Sequence, residues 1–130
     1  MSIDPKTYEY ASDVLKDRII LITGATDGIG RALAIHTAEL GAQVLLHGRN
    51  TRKLEQLHDE IEAIDGALSP SIAVLDLATA GAEEYQALAT GIEESFGRLD
   101  GLVHNAGILG QRLSIEQYDP GEWQKVMHVN

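Results

Sequence analysis

The stretch Arg18-Ile19-Ile20-Leu21-Ile22-Thr23-Gly24-Ala25-Thr26-Asp27-Gly28-Ile29-Gly30 decides how this chain is read. An apolar run ends in glycines and passes straight into a helical pattern. A strand that turns into a helix in this way aims unpaired backbone N–H groups, and the positive end of a helix dipole, at one spot that suits a phosphate anion. Gly24 is read as permitting the tight turn. Gly28 is read as letting the backbone close on a pyrophosphate, and Gly30 as letting the helix pack against the strand. Thr26, Asp27 and Ile29 lie between or beside these glycines in the same candidate binding turn. The spacing, T-G-x-x-x-G-I-G, differs from the common G-x-G-x-x-G, and on its own a glycine-rich turn also fits a purely structural role.

Outward from this turn the chain alternates strand and helix patterns. A first strand is expected over about Arg18 to Thr23. A first helix follows from Gly28 to about Leu40, with Ile29, Leu33, Thr37 and Leu40 on one face and Gly41 at its end. Gln43 to His47 reads as a second strand. Leu54, Leu57, Ile61 and Ile64 mark a second helix that begins near Thr51. Ser71 to Leu75 is a third strand, Ala82 to Phe96 a third helix striped by Tyr85, Leu88, Ile92 and Phe96, and Leu99 to His104 a fourth strand. Pro120, whose φ suits a first turn, opens a further helix. The lead-in, residues 1–17, is a polar extension with a short helix expected near Tyr8 to Leu15, and residues 18–130 form one α/β unit. Short, continuously apolar strands separated by helices predict a parallel sheet with helices on both faces. Right-handed crossovers favour the strand order 3-2-1-4, which opens a crevice at the carboxyl ends of strands 1 and 4.

Three further segments meet that crevice. His47-Gly48-Arg49-Asn50 ends strand 2, about 20 residues beyond the glycine turn, where dinucleotide sites meet the adenosine ribose. An acid there would bind the 2′-hydroxyl of NAD; here Arg49 is present instead, and a guanidinium suits a 2′-phosphate through paired, charge-assisted hydrogen bonds. NADP is therefore favoured over NAD, the alternative being that Arg49 is a solvated residue at the sheet edge. Asp76-Leu77 ends strand 3. The carboxylate can accept from an adenine amino group while Leu77 covers the ring, or it can cap the following helix. His104-Asn105-Ala106-Gly107 ends strand 4. Gly107 lets the backbone run close to a cofactor and Asn105 can bridge strand ends through its amide, unless Asn105, Ala106 and Gly107 form only a turn.

Composition limits the partners. The chain has 130 residues, enough for one domain with a real core, and with 44% hydrophobic residues, 13 Gly and 3 Pro it is globular. A formal net charge of −10 argues against nucleic acid or an anionic membrane surface as a partner. The absence of cysteine removes disulfide and thiolate-metal chemistry and is compatible with a reducing cytoplasm. The five histidines lack close i, i+4 pairing, so no metal site is expected. No apolar run reaches the roughly 20 residues of a spanning helix, and the first residues lack a signal-peptide pattern. The expected location is the cytoplasm.

Taken in order, Thr23-Gly24-x-x-x-Gly28-Ile29-Gly30, Asp76-Leu77, His104-Asn105-Ala106-Gly107 and Val129-Asn130 resemble the short-chain dehydrogenase/reductase family over residues 18–130. His104 departs from the family's usual first Asn at that position. The resemblance implies a Rossmann-type fold and an oxidoreductase that passes hydride between a nicotinamide cofactor and a small carbonyl or alcohol substrate. It supports NADP, because a basic residue at the Arg49 position accompanies that choice, and it places Asn130 as the catalytic-tetrad Asn. The family's remaining catalytic groups, a Ser and a Tyr-x-x-x-Lys pair, are not found: Tyr8, Tyr10, Tyr85 and Tyr118 have no Lys four residues later. The 130-residue chain is thus expected to be inactive, as the amino-terminal part of such an enzyme, the alternative being a non-catalytic dinucleotide-binding module. With strand 4 as an open edge, self-association through that edge or the last helix is also expected.

Overall fold

The computed structural model describes residue 4 and residues 6–130. Among these described residues nine elements follow one another: β1 (Ile19–Ile22), α1 (Gly28–Glu39), β2 (Gln43–Gly48), α2 (Thr51–Glu62), β3 (Ser71–Val74), α3 (Ala82–Phe96), β4 (Gly101–Val103), a 3-10 turn (Ile115–Gln117) and α4 (Pro120–Val129). The four strands form one parallel sheet in the order β3-β2-β1-β4, as the alternation predicts. Ile20 and Ile22 of β1 lie opposite Val44 and Leu46 of β2, while Leu21 pairs with Leu45 on one side and Leu102 on the other.

The two faces of the sheet are covered unequally. Ile22, Val44 and Leu46 join Ala34, Ala38, Leu54, Leu57 and Ile61 in the larger core beneath α1 and α2. On the opposite face Ile19, Leu21 and Leu45 meet Ile92 of α3, with Leu88 and Phe96 alongside. The period of two along each strand sends successive side chains to these two cores.

Three expectations need correction. The buried face of α1 is Gly30, Ala34, Thr37 and Ala38, whereas Ile29 is 80% exposed. The glycine turn sets the helix close to the sheet, so small residues fill the contact and the larger Ile29 is turned outward. No helix forms over residues 8–15. Instead Val14, Lys16 and Arg18 make i→i−3 backbone bonds in successive turns, and Asp17 takes a left-handed φ of 62°. The Leu15 N–H donates to the Leu40 carbonyl at 3.1 Å, which fastens this segment to the end of α1 rather than to itself. β4 is shorter than expected because Asn105 and Ala106 turn their N–H groups to the Thr23 hydroxyl instead of extending the ladder.

β4 is also clipped at its start. Asp100 accepts the Ile19 N–H at 2.8 Å and the Arg98 Nε–H at 3.0 Å, and Arg98 in turn donates to the Asp17 carbonyl. These bonds, the Ile19 N–H foremost, hold the Asp100 carboxyl below its usual pKa.

Candidate nucleotide-binding site

All four strands point their carboxyl ends at one cleft. Its wall is made by Gly24 and Thr26 after β1, His47 to Arg49 at the end of β2, Leu75 to Ala78 after β3, Ala106 to Ile108 after β4, and Lys125 and Val129 from α4. The cleft is small, ≈ 150 Å³, and open to solvent. A hollow of ≈ 420 Å³ lies elsewhere, between α3 and β1, lined mainly by apolar groups such as Leu21, Leu88 and Ile92 with Glu93 and Arg98 beside them, and away from the strand ends. Strand-end position, not size, identifies the site.

Two of the three glycines in the turn have no room for a side chain. Gly24 has φ +63°, and a Cβ there would lie 2.8 Å from the Cα of Ala106. Close approach is therefore required at Gly24, in addition to its turn conformation. At Gly28 the requirement is conformational: φ is +55°, and a Cβ there would meet nothing within 4 Å, which leaves the outer side of the turn open to a ligand. A Cβ on Gly30 would strike the Asn105 amide and the Gly24 carbonyl oxygen, so this glycine packs α1 against the strand ends.

Thr23 joins the two middle strands through one hydroxyl. It donates to the Val103 carbonyl at 3.2 Å and accepts the N–H groups of Asn105 and Ala106, each at 3.0 Å. The Asn105 amide donates to the carbonyls of Thr23 and Gly24 at 3.0 and 3.1 Å, so Asn105 bridges the strand ends as its amide allows. Asn130, the C-cap of α4, clamps the same loop: its Oδ1 accepts the Ile108 N–H at 2.8 Å and its Nδ2 donates to the Ile108 carbonyl at 3.0 Å. Gly107 lies between these two anchors, and His104 is exposed.

The charged residues divide by partner. Asp27 occupies the N-cap position of α1 but makes no side-chain capping bond; its carboxylate receives Lys53 Nζ at 2.8 and 3.0 Å. The Lys53 hydrogen bond is the main reason its pKa is lowered. The first turn of α1 is thereby left uncapped, with its N–H groups available to an anion. Asn50 Oδ1 accepts the Lys53 backbone N–H at 3.1 Å and so caps α2. Asp76 holds a turn through the Ala78 N–H at 2.9 Å; the N-cap of α3 is Gly81, so Asp76 does not cap that helix. Leu77 lies beside it in the cleft. Arg49 is exposed at the cleft and has no acidic partner among the described residues.

Ala78, Ile108 and Lys125 also line the cleft although no sequence motif marks them, and the side-chain bonds of Thr23 and His47 are likewise not evident from the sequence. A histidine inside the apolar run Val44-Leu45-Leu46-His47 was the signal for one of them. Outside the cleft, His58, Asp59 and Glu62 bring ligand-type atoms within 4.8 Å on α2, where the imidazole and Glu62 also meet Ser69.

Glycine turn, parallel sheet and switch-point cleft together define an α/β fold of the dinucleotide-binding class. A sequence model of the short chain dehydrogenase family matches residues 18–130, and the chain belongs to that family. It is 46% identical over 123 residues to the uncharacterized oxidoreductase YciK of Escherichia coli K12, covering 95% of this chain and 48% of that protein. A short-chain dehydrogenase of Escherichia coli CFT073, solved with NADPH, is 47% identical with a TM-score of 0.88 over 92% of this chain and 50% of that one. A Shigella flexneri short-chain dehydrogenase solved with NADP is 44% identical with a TM-score of 0.86, over 92% of this chain and 49% of its own. The chain thus spans about half the length of these relatives.

Proposed function

We propose that this chain forms the NADP(H)-binding part of a short-chain oxidoreductase. The observation that carries the reading is the cleft itself, where the first turn of α1, without a side-chain cap from Asp27, and the exposed Arg49 guanidinium lie at one set of strand ends. The residues fit the group. Gly24 and Gly28 add no side chain at either end of the turn, the α1 N-terminus supplies N–H donors for a pyrophosphate, and Arg49 supplies a cation for a 2′-phosphate. Asp76 retains a carboxylate oxygen for an adenine amino group, with Leu77 beside the ring. The relatives solved with NADPH and NADP support this choice of cofactor over NAD.

When bound, the nicotinamide supplies hydride exchange with a carbonyl or alcohol carbon of a small-molecule substrate. This chain's own residues bind and orient. Thr23, Asn105 and Asn130 hold the loop after β4 against the glycine turn, and Asn130 is the one member of the family's catalytic set carried over to this sequence. Tyrosine serves as an acid near neutral pH only beside a cation that lowers its pKa, and no tyrosine here has a Lys four residues later. The 130-residue chain is accordingly expected to bind without turnover. Read this way it acts as a dinucleotide-binding module, and the hydride transfer belongs to the whole enzyme.

Calorimetric titration of the purified chain with NADP⁺ and with NAD⁺ tests the reading. NADP⁺ is expected to bind more tightly by about 10-fold or more, a difference of at least ~1.4 kcal/mol. Equal binding of both, or binding of neither, overturns it.

A further inference from the structure

We propose that His47 is the positioning residue of this cleft: as a neutral imidazole it ties the glycine turn after β1 to the loop after β3, and so fixes the gap between the two walls that hold the adenosine end of the ligand. The inference rests on the nucleotide-binding reading above and goes on to its pH dependence.

His47 lies in β2 at 3% exposure. Its Nδ1 is 3.3 Å from the Gly24 nitrogen and its Nε2 is 3.0 Å from the Leu75 carbonyl oxygen. A backbone N–H can only donate and a carbonyl can only accept, so both contacts are satisfied together by one species alone, the neutral ring carrying its proton on Nε2. The main chain makes parallel ties, from the Ala25 N–H to the His47 carbonyl at 2.9 Å and from the Leu75 N–H to the Gly48 carbonyl at 3.0 Å. The side chain therefore doubles a connection between the same three segments. Packing does not demand it, because the three buried residues before it, Val44, Leu45 and Leu46, are all apolar.

No charged group around the cleft pairs with the ring. Arg49 at the end of β2, Asp76 after β3 and Lys125 of α4 line the same cleft. Asp27 after β1 is held by Lys53 of α2, and Glu84 in the first turn of α3 accepts the Gly81 N–H. His128 of α4 is directed at the Ala80 carbonyl, at 3.3 Å. None of these makes a hydrogen bond to the His47 ring. Burial pushes its pKa down, opposed only by the Leu75 carbonyl. Protonation in acid sets an N–H of the ring against the N–H of Gly24, which parts the two walls.

The test combines calorimetry with NADP⁺ and NMR of the imidazole, at pH 7.5 and 5.7, above the sequence pI of ≈ 4.7. His47→Leu removes both bonds and is expected to weaken NADP⁺ binding about 10-fold at pH 7.5, the order of one net hydrogen bond. His47→Gln keeps a donor near the Leu75 carbonyl but does not titrate. Relative to it, the unaltered chain is expected to lose affinity progressively on going to pH 5.7 and below. Titration of the ligand's own 2′-phosphate is common to both and cancels. In the free chain, ¹⁵N spectra are expected to show the Nε2–H tautomer and a Gly24 amide that titrates together with His47, a readout that survives if a variant fails to fold. A chain that binds NADP⁺ while His47→Leu binds it equally well, or an Nδ1–H tautomer, overturns the proposal and leaves the nucleotide reading standing. A chain that binds no NADP⁺ at pH 7.5 overturns that reading and, with it, the ligand-positioning role.

Discussion

Thr23 uses the whole capacity of its hydroxyl, one donor and two acceptor lone pairs, at the junction of β1 and β4. Thr23→Val keeps the shape but leaves the part-buried Ala106 N–H without its acceptor. The expected loss is about 1–3 kcal/mol in urea denaturation, with Thr23→Ser restoring most of it. Arg49 makes the complementary case, an exposed side chain with no partner among the described residues. Arg49→Ala is expected to abolish the preference for NADP⁺ over NAD⁺ in titration, while NAD⁺ affinity and thermal stability stay nearly unchanged. At this scale the sequence was readable where glycine or charge stood out, as at Gly24, Gly30 and Arg49. It was not readable where a residue acts through distant backbone. The bond from Thr23 to Ala106 spans 83 positions, and His47 meets Gly24 and Leu75 only once three strands are side by side.

Among the elements, β4 depends most on side chains outside the ladder. Asp100 secures its start to β1 with a carboxyl whose pKa is depressed from 3.8. A carboxyl depressed in the folded state contributes stability that is present above the unfolded pKa and is lost as pH falls through the folded one. Asp100→Asn is therefore expected to lower the melting temperature at pH 7, and the difference from the unaltered chain to shrink below about pH 3.8. The same dependence on long-range bonds explains which element boundaries were legible. α2 followed its apolar spacing, with Leu54, Leu57 and Ile61 all buried and Asn50 capping it. α1 did not, because a helix seated through Gly30 takes Ala34 and Ala38 as its contact and leaves Ile29 outside. In the lead-in, Leu15 bonds Leu40 instead of its own turn, a choice no local pattern records.

The sheet is covered by two helices on one face and by α3 alone on the other, which leaves the β4 side of that second face exposed. Beneath α1 and α2 the core is continuous, whereas Leu102 on β4 is 47% exposed and Trp123 and Met127 on α4 are 57% and 66% exposed. Among the described residues β4 pairs with β1 alone, so its outer edge offers free backbone groups beside apolar side chains. We propose that the isolated chain self-associates there. Sedimentation is expected to show concentration-dependent dimers or larger species that Leu102→Lys reduces, since charge on an edge strand opposes pairing. A strictly monomeric chain at high concentration contradicts this. Hydrogen exchange is expected to follow the same asymmetry, slowest in β1 and β2 and fastest in α4.

The contact between Gly24 and Ala106 also constrains how this sequence can drift over generations. The obstacle to any side chain at position 24 is the Cα of residue 106, which every amino acid possesses. Trimming Ala106 to glycine leaves that atom in place, so the usual genetic remedy of a compensating smaller neighbour does not exist here. A lineage that loses Gly24 can regain the cleft by reversion or by moving a strand, and suppressor screens on Gly24→Ala should return the original codon rather than a change at Ala106.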